Sequence, residues 1–314
     1  MLKRGEKIVI ALGGNSLIKK GEKPTISNQF KNAKKTMEYL VPLIKNHKVV
    51  ITHGNGFQVG NILIRVEESL GKAYSIPLEV CVAESQGELG YMIEQSLQNT
   101  LAKNKIKTPV VSILTQVLVD KKDPAFKDPT KPIGPFYTKS QAQKLMKKGF
   151  KLVEQIGRGW RKVVASPKPI SIDDIKIIDL LLKNKTIVIA AGGGGVPIIK
   201  EKGKITHGVP AVIDKDLASA CLANSIKAKT LIILMSEPSA YLNYKKKNQK
   251  PIRSLNIKEA SKLLKEGHFP KGSMGPKIEA AIQFIKNGGN NVIITSSNNI
   301  QKALIGKSGT VIRR

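Results

Sequence analysis

Cysteine is nearly absent from this chain. Cys81 and Cys221 are the two in 314 residues, and each falls in an apolar helical stretch. Two such thiols make neither a disulfide framework nor a zinc cluster, so a reducing, cytoplasmic setting is the expectation. Histidine is sparse as well: positions 47, 53, 207 and 268 never stand four apart, and no metal-ligating residues are expected. No apolar run approaches the ~18–20 residues that would cross a bilayer. The run Ile8–Leu12 near the start is strand-like and too short for a signal peptide, so no membrane is expected. Acidic residues are few, 23 against 53 Lys and Arg, which leaves a formal charge of +30. Yet arginine, the usual reader of bases and phosphates, supplies only seven of those 53, and lysine is spread through every segment. Dispersed lysine reads as a solvated surface that steers small anions, so no nucleic-acid partner is expected. Internal repeats and low-complexity tracts are missing too.

Apolar residues make up 41% of the chain, which excludes disorder despite the charge. The length fits two lobes or one large α/β domain. Strands are predicted at Lys7–Leu12, Val49–Thr52, Val110–Val119, Thr186–Ala190, Thr230–Met235, Asn291–Thr295 and Thr310–Ile312. Amphipathic helices are predicted near 27–45, 57–69, 79–103, 172–184, 215–226, 257–266 and 276–287. Such alternation predicts a mainly parallel sheet covered on both faces. Residues 120–168 break it: 120–137 hold four prolines, and the lone tryptophan follows at 160. A long segment of this kind reads as a protruding subdomain.

Several strands run straight into glycine: Gly13-Gly14-Asn15, Gly54-Asn55-Gly56 and Gly192–Gly195. Glycine lets backbone N–H groups approach an anion, and a following helix start favours negative charge. Ligands of open α/β sheets sit beyond the carboxyl ends of strands, so these loops mark one functional edge. Other motifs fail on inspection. Gly306-Lys307-Ser308 lacks the first glycine of a phosphate-binding P-loop, because position 301 is Gln. Ala83–Gly87 mimics a nucleophile elbow around Ser85 but lies in a helical pattern, where a serine packs rather than attacks. What remains is anion chemistry. Phosphoryl transfer asks chiefly for positioning and positive charge. The candidates are lysines in glycine or proline loops: Lys131, Lys215 and Lys277. Lys215 stands out because Asp214 and Asp216 flank it at a helix start, and Asp216 can hold lysines by ion pairing.

At this point the chain resembles the carbamate kinases of the amino acid kinase family along nearly its whole length. The blocks that carry the resemblance are 10–17 (IALGGNSL), 51–60 (ITHGNGFQVG), 85–93 (SQGELGYMI), 123–137 (DPAFKDPTKPIGPFY), 157–169 (GRGWRKVVASPKP), 190–197 (AAGGGGVP), 212–219 (VIDKDLAS), 267–284 (GHFPKGSMGPKIEAAIQF) and 306–312 (GKSGTVI). The resemblance implies a three-layer α/β/α sandwich around a mainly parallel eight-stranded sheet, with a small protruding subdomain. It implies residues 1–119 as the carbamoyl-binding part, 120–168 as a lid and 169–314 as the nucleotide-binding part. The implied reaction is ATP + carbamate = ADP + carbamoyl phosphate with Mg²⁺, run toward ATP at the end of arginine breakdown by the deiminase route, in a cytoplasmic homodimer.

Carried onto this sequence, Gly13, Gly14, Asn15, Gly54 and Asn55 would hold carbamate and the moving phosphoryl group. Lys131, Lys215 and Lys277 would neutralise the phosphates, with Asp216 orienting the lysines, and Ser236, Glu237, Tyr241, Met274 and Gly275 would border the nucleotide. Relatives in the wider family place a lysine two residues before the first Gly-Gly. Here that residue is Ala11, and Lys131 on the lid is the implied substitute. Two departures stand out: Phe57 replaces a usual proline, and Ser236-Glu237-Pro238 replaces a frequent Thr-Asp-Val. The second borders the nucleotide and bears on its binding. Two other readings remain at this point: a basic nucleic-acid-binding protein, and a silent relative kept for binding or assembly. Dispersed lysine speaks against the first, and the retained Lys131, Lys215, Asp216 and Lys277 speak against the second.

Overall fold

A computed structural model describes residues 2–19, 21–155, 157, 159–270 and 272–314, without the side chains of Asn15, Ile205 and Thr206. The chain opens with β1 (Lys7–Leu12), α1 (Ile26–Ile44), β2 (Lys48–His53), α2 (Gln58–Glu68) and α3 (Leu78–Lys103), followed by β3 (Val110–Ser112) and β4 (Gln116–Val119). Next come β5 (Lys131–Tyr137), α4 (Lys139–Lys147), β6 (Leu152–Gln155) and β7 (Gly159–Val164). Then β8 (Pro169–Ile172), α5 (Ile175–Lys183), β9 (Ile187–Ile189), β10 (Val196–Glu201), β11 (Lys204–Gly208), α6 (Lys215–Ser225) and β12 (Thr230–Met235) follow. The last part holds β13 (Tyr241–Leu242), β14 (Lys250–Pro251), β15 (Ser254–Asn256), α7 (Ile257–Lys265), α8 (Met274–Lys286), β16 (Asn291–Ser296), α9 (Ile300–Leu304) and β17 (Thr310–Arg313).

The main sheet has eight strands in the order β15-β17-β16-β12-β1-β2-β9-β3. Neighbours pair in parallel except β16 with β17. Its central strands are apolar at nearly every position because both faces are covered, as expected for parallel strands. Alternate residues feed two cores. Val9, Ala11, Val50, Leu231, Ile233 and Val292 pack with α5, α6, α7 and α8. Ile8, Ile10, Leu12, Ile51, Ile232 and Leu234 pack with α1, α3 and α9 on the other side. The three-layer architecture is thus as predicted. From β1 the chain passes through α1 to β2 on one side, and β12 joins on the other. The loops after β1, β2 and β12 therefore meet at a topological switch point, the place where such sheets bind ligands.

One predicted strand proves to be two. Val110–Val119 is mostly apolar, broken by Ser112, Thr115 and Gln116, but β3 ends the main sheet and β4 joins a second, four-stranded sheet, β11-β10-β4-β8. The break falls around Thr115. The Gln86 side chain accepts from its backbone N–H (2.9 Å) and donates to its carbonyl (3.1 Å), so the chain changes sheets without orphaning those groups. Among the elements not predicted, β10 follows directly on the glycines 192–195, β15 is short, and α4 and α9 lie near proline-rich or glycine-rich sequence.

Within the segment 120–168, β5, β7 and β6 form a separate antiparallel sheet on which α4 packs. It meets the body where Gly134 N–H donates to the Gly56 carbonyl (3.1 Å). A Cβ on Gly60 of α2 would come within 2.0 Å of the Gly134 Cα, so glycine at 60 is what allows these backbones so close, while Gly134 is suited by its φ of +72°. Lys162 of β7 reaches both oxygens of Glu67 at 2.5 and 2.7 Å and ties the small sheet to the end of α2. Among the described residues no helix is long and apolar enough to cross a membrane.

Candidate active site

The site is organised by the start of α6. Asp214 is its N-cap: Oδ1 accepts from the backbone N–H groups of Asp216 (2.9 Å) and Leu217 (3.5 Å). That leaves the second Asp214 oxygen free to turn outward, where Lys131 Nζ meets it at 2.5 Å. Asp216, in the first turn, is only 2% exposed. Its two oxygens take one lysine each: Lys215 Nζ on Oδ1 at 2.5 Å and Lys277 Nζ on Oδ2 at 3.0 Å. Three ammonium groups thus surround two carboxylates and leave a net positive centre. A hydroxyl chain anchors the turn. Ser219 donates to the Lys215 carbonyl (2.6 Å), and Thr52 of β2 lies 2.6 Å from the Ser219 hydroxyl. The Lys215 stem runs over Gly54, where a Cβ would sit 3.1 Å from its Cδ.

Burial pushes both carboxyls up, but the lysines prevail. Asp216 is held well below the usual carboxylate range by Lys215 and then Lys277, and Asp214 is held down chiefly by Lys131. Burial drives Lys215 below an ordinary lysine, and the neighbouring Lys277 charge adds to this. Burial pulls on Lys277 as well, but the Asp216 carboxylate outweighs it and raises the group. His53, 1% exposed at the end of β2, is lowered to about 4 by burial, with the Lys215 charge adding to the effect. It is neutral at pH 7 and supplies no charge to the site.

A cavity of about 270 Å³ opens beside this centre. Gly13, Gly14, Lys215 and Lys277 line it together with Met235, Ser236, Glu237, Tyr241, Tyr244, Phe269 and Met274. Most of the residues singled out from sequence therefore come together. Lys131 joins through Asp214 rather than by lining the cavity. Gly275 lies buried in the first turn of α8, its N–H on the Pro270 carbonyl (2.9 Å), and supports the wall without lining it. Asn55 lies behind Gly54, 3% exposed. The side chain of Asn15 lies outside the described residues. Sequence reasoning missed Tyr244, Ser239, Phe269 and Ser273 in the cavity wall, and Thr52 and Ser219 beneath the lysines. For Tyr244 the available signal was an aromatic residue three positions after Tyr241; Thr52, Ser219, Phe269 and Ser273 lie inside blocks that carry the resemblance.

Residues 6–296 match the amino acid kinase family. The chain is 48% identical to the carbamate kinase of Pyrococcus horikoshii over 311 residues, covering 98% of this chain and 99% of the relative. A structure of carbamate kinase from Giardia lamblia bound to citric acid superposes with a TM-score of 0.93 at 42% identity, covering 98% of each chain. A structure of the Giardia lamblia enzyme bound to AMP-PNP gives 0.90 at 43% identity, again covering 98% of each chain.

Proposed function

The chain belongs to the amino acid kinase family, among its carbamate kinases, and from that premise we propose that its site moves a phosphoryl group from carbamoyl phosphate to ADP. The observation that carries this reading is the bracket of Lys215 and Lys277 on the buried Asp216 carboxylate, both lysines lining the cavity. A terminal oxygen of ADP attacks phosphorus, the P–O bond to the carbamoyl group breaks, and carbamate leaves with the electron pair. The nucleophile is already an anion and the leaving group departs as one, so no general base is needed, in keeping with a neutral His53. The work is charge stabilisation on the transferring group, which lysines in a water-poor pocket perform well. Asp216 keeps both ammonium groups aimed at the cavity.

Residues 1–119 would hold the carbamoyl end through Gly13, Gly14, Asn15, Gly54 and Asn55, and residues 169–314 the nucleotide. The Giardia lamblia relative binds AMP-PNP; here ADP would lie among Ser236, Glu237, Tyr241 and Met274. Mg²⁺ enters with the nucleotide as part of the substrate. Asp214 and Asp216 are taken by lysines, and among the described residues no three His, Cys, Asp or Glu side chains gather into a cage. The protein's own residues thus do not fit a resident metal, and the phosphate oxygens carry the ion. We place the enzyme in the cytoplasm as a homodimer, making ATP at the end of arginine breakdown by the deiminase route. The free thiols of Cys81 and Cys221 suit a reducing compartment. Incubating the protein with ADP and carbamoyl phosphate and coupling ATP to a reporter tests the reaction. No ATP above the non-enzymatic rate defeats it.

Residues 120–168 would serve as the lid. Lys131 is expected to leave Asp214 and move onto the phosphates when nucleotide and carbamoyl phosphate bind, because a phosphate oxygen competes with the carboxylate for it. Structures of the free protein and of the protein with ADP and a carbamoyl phosphate analogue check this; an unchanged Lys131–Asp214 pair with both present counts against a lid.

The Ser236-Glu237-Pro238 segment should tune nucleotide affinity alone. Tyr244 donates to Glu237 (3.0 Å), and Pro238 has no N–H to offer a nucleotide. Combining Ser236→Thr, Glu237→Asp and Pro238→Val should lower KM for ADP by about 2–13-fold, the worth of one hydrogen bond, with kcat unchanged. A rise in kcat at fixed KM would assign the segment to catalysis or closure.

A further inference from the structure

The serine that sequence alone reads as mere helix packing does more than pack. Ser85 is fully buried in α3, and its hydroxyl donates to the Val82 carbonyl at 2.7 Å. With its one proton committed, the oxygen can only accept, and it accepts from Asn55 Nδ2 at 2.8 Å. A group that can only accept selects the NH₂ end of an amide. The Asn55 amide therefore has one orientation, and its carbonyl oxygen is the end that Ser85 does not engage. The amide is also confined from the other side: a Cβ on Gly193 would lie 2.2 Å from Nδ2 and 2.4 Å from Cγ.

The next residue of α3 holds the opposing wall. Gln86 clamps the Thr115 backbone through both ends of its amide, and Thr115 Oγ1 accepts from the Ala191 N–H at 2.9 Å. The Gln86 Cγ lies where a Cβ on Gly192 would come within 3.1 Å. Two adjacent side chains of one rigid helix thus set the Asn55 amide and the Ala191–Gly195 loop against each other.

We propose that Ser85 is a positioning residue for substrate choice. By accepting from Asn55 Nδ2 it presents Asn55 Oδ1 as an acceptor to the amino group of the carbamoyl moiety, and so favours carbamoyl phosphate over acyl phosphates that carry a methyl group there. A methyl group cannot donate, and it would leave the buried carbonyl unpaired. The inference rests on the reading that Asn55 meets the carbamoyl end.

The test is a cycle of wild type, Ser85→Ala, Asn55→Ala and the double variant. ATP formation is measured from ADP with carbamoyl phosphate and, separately, with acetyl phosphate. Ser85→Ala is expected to raise KM for carbamoyl phosphate by about 2–13-fold and to reduce the preference over acetyl phosphate by a similar factor. KM for ADP should stay unchanged. In the Asn55→Ala background the same change should have no further effect, because the group through which Ser85 acts is gone. A merely structural serine would instead affect both substrates alike, or would have the same effect in both backgrounds; either result overturns the proposal. If Ser85→Ala is unfolded at the assay temperature, Ser85→Cys carries the comparison, since a thiol keeps the shape but is a weak acceptor. A wild-type protein that makes no ATP from carbamoyl phosphate overturns the proposed reaction together with this inference. An active wild type with an unaltered carbamoyl-to-acetyl preference in Ser85→Ala overturns this inference alone.

Discussion

Replacing Lys215 by alanine is expected to lower kcat by about 10²–10³-fold while the protein stays folded. The size follows from where the ammonium sits. Its stem is buried against Gly54, its charge faces the cavity, and little water competes for it. A donor of that kind acts mainly on charge that develops in the transition state, so kcat should fall more than KM for ADP rises. The fold should survive because Asp216 keeps Lys277 as its partner at 3.0 Å, and no buried carboxylate is orphaned. Steady-state kinetics beside a thermal unfolding curve measure both parts. Turnover close to wild type would remove Lys215 from the chemistry.

Asp216→Asn should do the reverse: it should damage the fold and the activity together. The substitution removes the counter-charge from two buried ammonium groups at once. Breaking a buried pair by deleting one partner typically costs about 3–5 kcal/mol, and here two lysines share the loss. Unfolding in urea at pH 7 should show a deficit of this order, with a large fall in kcat as the lysines turn away from the cavity. The dependence on pH has a definite sign. The Asp216 carboxyl is depressed in the fold, so its stabilisation is present above the unfolded carboxyl value of about 3.9 and is lost as pH falls through the folded value. Lys277 is raised, so its share is present below the unfolded lysine value of about 10.4 and is lost as pH rises through the folded value. The gap between Asp216→Asn and wild type should therefore hold from pH 7 to about 4 and narrow as pH falls from about 4 to about 3 and below. A gap that stays constant over that interval would mean that the charge of Asp216 does not stabilise the fold.

The functional edge is legible because its signals are local. Glycine directly after an apolar strand, as at Gly13 and Gly54, states a backbone requirement within a few residues. The pairing of Lys215 with Asp216 is likewise readable, since the two are neighbours at a capped helix start. Val110–Val119 was misread because hydrophobicity cannot say where a run changes partner. What divides it is Gln86 holding Thr115, a contact between positions 29 apart.

By itself the sequence determined the alternation of strands and helices, the burial of both sheet faces, the glycine loops at one edge and the set of lysines available for anion chemistry. These follow from side-chain size, polarity and backbone freedom at neighbouring positions. Only the tertiary structure decided which charges meet. Lys277 reaches Asp216 across 61 residues, Lys131 reaches Asp214 across 83, and Asn55 reaches Ser85 across 30. In a chain so rich in lysine, composition cannot single out one ammonium group from another. The fold does so by drawing Lys215 and Lys277 largely out of bulk water onto one buried carboxylate, with Lys131 held at the edge on Asp214. Desolvation is a property of the packed state, and it converts common surface charges into a site.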